Sequence, residues 1–177
     1  MKIVSSTLKR AVGPALAAGL VVTAAASPAA AQTPGSTAFR LFGSVYLSAR
    51  GGVANQVTAT VTTAGRLILT DTTGIAAGSG CSPTSSPTTV DCGVVTTSTR
   101  LSVGLGDGND TYNGGSIGLR TLVDAGPGFD SVTTGGGNDT IGVSDGVLAE
   151  PVNCGGGTDV VFRDVGDNIN ANCEVRY

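Results

Sequence analysis

The chain reads as all-β, a parallel β-solenoid with short coils and Gly-Asp turns. Three observations predict it. A glycine-aspartate motif recurs along the C-terminal half. The segments between copies are short and rich in Val, Ile and Thr, which suit strands. Beyond the apolar N-terminus no segment carries a helical period.

The motif has four clear copies. They are Leu105-Gly-Asp-Gly-Asn-Asp110-Thr-Tyr112, Ala125-Gly-Pro-Gly-Phe-Asp130-Ser-Val132, Thr134-Gly-Gly-Gly-Asn-Asp139-Thr-Ile141 and Cys154-Gly-Gly-Gly-Thr-Asp159-Val-Val161. All share x-G-x-G-x-D-x-U, where U is apolar or Tyr. A weaker fifth copy, Phe162 to Ile169, keeps Asp167 but no glycine pair. The Asp-to-Asp steps are 20, 9, 20 and 8 residues. Half a coil followed by a full coil produces that alternation. It predicts Asp110 and Asp130 on one edge, Asp139 and Asp159 on the other, and Asp167 back on the first.

Glycine lets the backbone turn tightly at positive φ. Asp and Asn tolerate left-handed positions and bond their own backbone. Each U residue lies two after its Asp and opens a short strand that can point inward. One such strand cannot bury its apolar face alone, so neighbouring coils must stack.

The organisation falls into three parts. Residues 1–31 read as an export signal: Lys2, Lys9 and Arg10, then a small-residue apolar run from Ala11 to Ala26, then Ala29-Ala30-Ala31. Cleavage is expected after Ala31, with Gln32 as the mature start. A membrane anchor is the competing reading, but the run is short and no stop-transfer cluster follows. Residues 32–100 form a Thr/Val-rich β region with degenerate coils. There Gly51-Gly52-Val-Ala-Asn55-Gln-Val57 looks like a decayed copy with Asn in the Asp slot. Strands are expected over 58–63, 66–71 and 94–103, with a Gly/Ser/Pro/Thr loop over 78–87. Residues 101–177 hold the clear repeats, with no linker before them.

From 101 to 177 there are eleven acidic residues and three Arg; from 32 to 100 there are two Asp and four Arg. An acidic half argues against nucleic acid, which demands a basic surface. It is compatible with a cation partner and equally with a solvated acidic surface. After the signal no membrane span is expected.

Four cysteines in an exported chain predict two disulfides. Zinc competes, but its usual C-x2-C spacing is absent. Of the three possible pairings, Cys81–Cys92 brackets the Ser/Pro/Thr loop. Cys154–Cys173 spans 19 residues, close to the 20-residue step, so stacked coils would bring those two within disulfide reach.

The repeat resembles the G-G-x-G-x-D-x-U-x nonapeptide of hemolysin-type, or repeats-in-toxin, calcium-binding proteins. The likeness is clearest from Leu105 to Asp167. The whole mature chain is similar to small secreted actinobacterial proteins of this type, in the segments Leu105 to Thr111, Cys154 to Asp159 and Asn172-Cys173-Glu174. The resemblance implies a parallel β-roll with calcium ions in its turns. It implies ligation by Asp110, Asp130, Asp139 and Asp159, with carbonyls of Gly106, Gly108, Gly126, Gly128, Gly135, Gly137, Gly155 and Gly157. Calcium takes six to eight oxygens in flexible geometry, which two stacked turns can supply and one cannot. The alternative for each Asp is a turn residue that satisfies backbone N–H groups without metal. Asp107, Asp124, Asp145, Asp164 and Asp167 read as surface or turn carboxylates. The consensus first glycine is replaced by Leu105, Ala125, Thr134 and Cys154, and only 125–133 and 134–142 are truly tandem.

Catalysis finds little support. There is no His for a triad and no G-K-[ST] loop. Gly104-x-Gly106 lacks the rest of a dinucleotide fingerprint, and Asp107-x-Asn109 lacks the Gly and terminal Glu of an EF-hand. Paired carboxylates for glycoside hydrolysis lack an evident groove. The expectation is a secreted, calcium-stabilised structural or surface-interaction protein with an extracellular or cell-surface partner. The alternative is a metal-independent solenoid adhesin or polymer-binding protein. Thr-rich strands could form sugar-binding ladders, though the absence of Trp weakens stacking.

Overall fold

The computed structural model describes residues 33–177, within the unit Gln32–Tyr177. The expected export signal lies outside the described residues. Those residues form sixteen strands in two eight-stranded sheets, with no helix among them. Sheet one holds β1 (Ser36–Leu41), β2 (Ser44–Ala49), β5 (Ile75–Ala77), β8 (Arg100–Gly104), β10 (Arg120–Asp124), β12 (Thr140–Gly142), β14 (Val160–Phe162) and β16 (Val175–Arg176). Sheet two holds β3 (Gln56–Val61), β4 (Arg66–Asp71), β6 (Ser82–Pro83), β7 (Thr89–Val94), β9 (Thr111–Asn113), β11 (Ser131–Thr133), β13 (Pro151–Asn153) and β15 (Asn168–Ile169).

From β8 onward successive strands alternate between the sheets, and each pairs in parallel with the strand two further on. Leu101 lies beside Thr121, Tyr112 beside Val132, and Ile141 beside Val161. In-register pairing at period two sends alternate residues inward. Val103, Val123, Ile141 and Val161 bury against Tyr112, Val132 and Val152 to make one thin apolar core. The predicted U residues Tyr112, Val132, Ile141 and Val161 are all buried.

The first region is built differently from the degenerate coils expected over 32–100. Only its Gly51–Val57 stretch continues the parallel pattern: Gln56 pairs with Thr111 and Val57 with Tyr112, which sets Asn55 beside Asp110. Elsewhere β1–β2, β3–β4, β4–β7 and β6–β7 pair antiparallel. The physical reason is short connections. Leu41 and Ser44 are joined by Phe42 and Gly43, both at positive φ (48° and 80°), which match the twist of a two-residue hairpin. A two-residue turn cannot make the long crossover that parallel strands require. The strand expected over 94–103 is also divided, because Thr96 to Thr99 closes a turn between β7 and β8.

Both expected disulfides form. Cys81–Cys92 has Cα atoms 4.0 Å apart and ties β7 to the loop before it. Cys154–Cys173 has Cα atoms 5.3 Å apart and joins the turns after β13 and β15.

Candidate functional site

The turns between the two sheets carry the motif's Asp residues, and hydrogen bonds sort these residues into two rows. In the first, Asp110 Oδ1 accepts the Asn55 backbone N–H at 2.6 Å, and Asp130 Oδ1 accepts the Asp110 N–H at 2.7 Å. Glu150 Oε1 accepts the Asp130 N–H at 2.8 Å, and Asp167 Oδ1 accepts the Glu150 N–H at 3.3 Å. In the second, Asp139 Oδ1 accepts the Thr121 N–H at 2.7 Å, and Asp159 Oδ1 accepts the Asp139 N–H at 2.7 Å. Glu174 Oε2 accepts the Asp159 N–H at 2.9 Å. Each carboxylate thus reaches one turn back and satisfies an N–H that a strand ladder leaves open. Asp110 and Asp130 come together, as do Asp139 and Asp159.

The second oxygen is different. Asp110, Asp130, Asp139 and Asp159 are at most 1% exposed, and Glu150 is fully buried. In all five the remaining carboxyl oxygen is buried without a hydrogen-bond partner. Burial of a charge without compensation disfavours ionisation. It raises the carboxyls of Asp110, Asp139 and Asp159 above the usual range, pushes Asp130 up to about 6 and Glu150 up to about 7. The neighbouring carboxylates in each row push in the same direction, more weakly.

The glycines fix how closely these turns approach. Gly128 has φ 148°, and a side chain on it would collide with the Gly108 carbonyl oxygen of the turn before. Gly137 has no such φ; it is required because a side chain would strike the Leu119 carbonyl. Gly106 and Gly126 stack in the same way, as do Gly135 and Gly155. Carbonyl oxygens are therefore crowded into the same turns as the carboxylates.

Asp71, in the first region, is a useful contrast. It too is fully buried. Its Oδ2 accepts from the Ser36 hydroxyl and the Asn55 side-chain amide, both at 2.7 Å. Its Oδ1 accepts from the Thr73 N–H at 3.0 Å and the Thr73 hydroxyl at 2.8 Å. Neither oxygen is left over.

A cation fits the row chemistry in part. Unpartnered buried anionic oxygens are hard-cation donors. No three acidic, Cys or His side chains converge among the described residues, so backbone carbonyls would have to complete any coordination shell. Asp107, Asp145 and Asp164 are turn carboxylates, accepting the N–H groups of Gly52, Gly128 and Asp145 respectively. Asp124 is exposed. Glu150 and Glu174 were not expected in the rows. Glu150 stands 20 residues after Asp130 and two before the buried Val152, a spacing that marks the slot even though its glycine pair is lost. Comparison with family models, curated proteins and solved structures finds no match for the chain.

Proposed function

We propose that the protein is an exported β-solenoid of the parallel β-roll kind, a structural or surface-interaction module stabilised by calcium between its stacked Gly-Asp turns. The observation that carries this reading is the set of buried carboxylates with one oxygen each left unpartnered. Asp110, Asp130, Asp139 and Asp159 would supply anionic oxygens, and carbonyls of the glycines in the same turns would supply neutral ones. Bound calcium supplies positive charge that offsets repulsion along each row. It performs no reaction, and no enzymatic activity is proposed.

The two disulfides agree with an oxidising compartment. Export predicts a mature chain beginning at Gln32. N-terminal sequencing of protein recovered from culture medium checks this, and a start at Met1 would contradict it.

A second reading, a metal-independent adhesin or polymer-binding module, rests on a specific observation. One oxygen of every row Asp already accepts a backbone N–H, which is a sufficient structural role on its own. Calorimetric titration of chelator-treated protein with calcium separates the two. Saturable binding, weakened by Asp130→Asn and Asp139→Asn, supports calcium. Absence of binding at millimolar calcium leaves the metal-independent module.

A further inference from the structure

The outward face of sheet one carries a feature that the turns do not use. Arg100 and Arg120 are directly opposed on the adjacent parallel strands β8 and β10, and both are exposed. Like charges placed so are mutually destabilising. Neither guanidinium makes a hydrogen bond or ion pair with the described residues, where the only ion pair is Arg66–Asp91. The nearest acid along β10, Asp124, lies four residues from Arg120, about 13 Å at strand rise. Two uncompensated arginines therefore stand side by side in a chain of net charge −3.

They border a cleft of about 260 Å³ whose lining includes Tyr46, Ser102, Leu122 and Thr140. These four form one register row across β2, β8, β10 and β12. The Tyr46 ring is held flat against Phe39, with centroids 5.1 Å apart and planes 11° from parallel. The cleft thus joins paired guanidinium forks, hydroxyls and a fixed aromatic platform. Guanidinium binds carboxylate in bidentate fashion. Aromatic faces, negative at the ring centre, attract the weakly positive C–H groups of a sugar ring. Hydroxyls suit a ligand rich in hydroxyls.

We propose that this cleft binds an acidic polysaccharide, holding a uronate carboxylate between Arg100 and Arg120 with a sugar ring on Tyr46. A nucleic acid fits poorly, because its continuous phosphate charge would meet the acidic repeats. A protein partner would need an apolar anchor site larger than Leu122 provides. The site is independent of calcium in the turns.

The test is binding of the full mature protein to polygalacturonate, its methyl ester and dextran sulfate, measured by calorimetry in chelator and repeated in calcium. In chelator no calcium bridge to the acidic turns can form, so failure of this site and failure of the calcium reading are read separately. Polygalacturonate should bind in chelator, and esterification should abolish binding. Arg100→Gln and Arg120→Gln should each weaken it at least about tenfold, the loss of one charge-assisted pair. Arg50→Gln, elsewhere on the surface, should leave it unchanged. No binding of polygalacturonate in chelator, equal binding of acid and ester, binding of dextran sulfate alone, or indifference to both arginine substitutions overturns the proposal. The acid-against-ester comparison uses the unaltered chain, so it stands even if a variant fails to fold.

Discussion

Asp71 and Asp130 are both fully buried carboxylates, yet they sit in opposite electrostatic conditions. Asp71, in the antiparallel first region, receives four hydrogen bonds from three residues. Asp130, in the parallel repeat region, receives one from protein and keeps its other oxygen empty-handed. Burial of an acid is therefore not the mark of a cation site in this fold; incomplete satisfaction is. Asn55 stands at the joint, giving its backbone N–H to Asp110 and its side-chain amide to Asp71. The first region closes one end of the stack with a finished polar network. The second leaves rows that another ion can finish.

The largest expected effect lies on the finished side. Asp71→Ala strands the Ser36 hydroxyl, the Asn55 amide and the Thr73 donors, at a cost on the order of 4 kcal/mol. Denaturant melts would register it with or without calcium. A loss below about 1 kcal/mol would break the contrast.

Next are the disulfides. Replacing Cys154 and Cys173 by Ser should cost about 3 kcal/mol on the chain-entropy model. The shorter Cys81–Cys92 loop should cost about 0.5 kcal/mol less. Equal midpoints for the two double variants and the unaltered protein would show that neither bond constrains the unfolded chain.

Calcium should come third. At free calcium 100 times Kd the repeats gain about 2.7 kcal/mol, which for a domain of this size raises Tm by several degrees. Asp130→Asn and Asp139→Asn should each reduce the gain, and Asp71→Asn should not. A melting temperature identical in chelator and in millimolar calcium would falsify the calcium reading.

The smallest effect is a pH trend in chelator. The folded-state values of Asp130, about 6, and Glu150, about 7, exceed the ordinary carboxylate values. The folded protein then holds more protons than the unfolded chain, so stability falls as pH rises. The penalty begins near pH 4, and is complete above pH 7. Metal-free protein should thus be more stable at pH 5 than at pH 8, by roughly 2 kcal/mol. Asp130→Asn, which keeps an acceptor for the Asp110 N–H and removes the charge, should flatten the trend. A Tm that rises between pH 5 and pH 8 would contradict the direction.

The rows were legible where glycine and aspartate coincide. Asp110, Asp130, Asp139 and Asp159 each announce a tight turn, and their spacing places them two and two. Cys154 and Cys173 followed from the same step. Glu150 escaped notice because Leu148 and Ala149 replace the glycine signature, Ala149 taking φ 70° itself. Its distance from Asp130 was the remaining clue. The antiparallel first region was harder. Thr/Val-rich strands look alike whichever way they pair, and direction is decided by the Phe42-Gly43 hairpin and by Asp71. The contacts of Asp71 reach 35 residues back and 16 residues back along the chain, beyond any local pattern.

The twenty-residue register between β8 and β10, repeated between β9 and β11, has a consequence for how such a chain can change in length. Every inward side chain and every backbone N–H capped by an Asp is placed by that one interval. Tandem duplication of residues 110–129 would insert one more pair of strands, one more rung of carboxylate and one more layer of core, with every later residue keeping its side. A duplication one residue shorter would turn the following strand over, sending Val132 outward and Ser131 into the core. Gene-level variation in this region is therefore quantised: the molecule can grow or shrink by whole units, and intermediate lengths are closed to it.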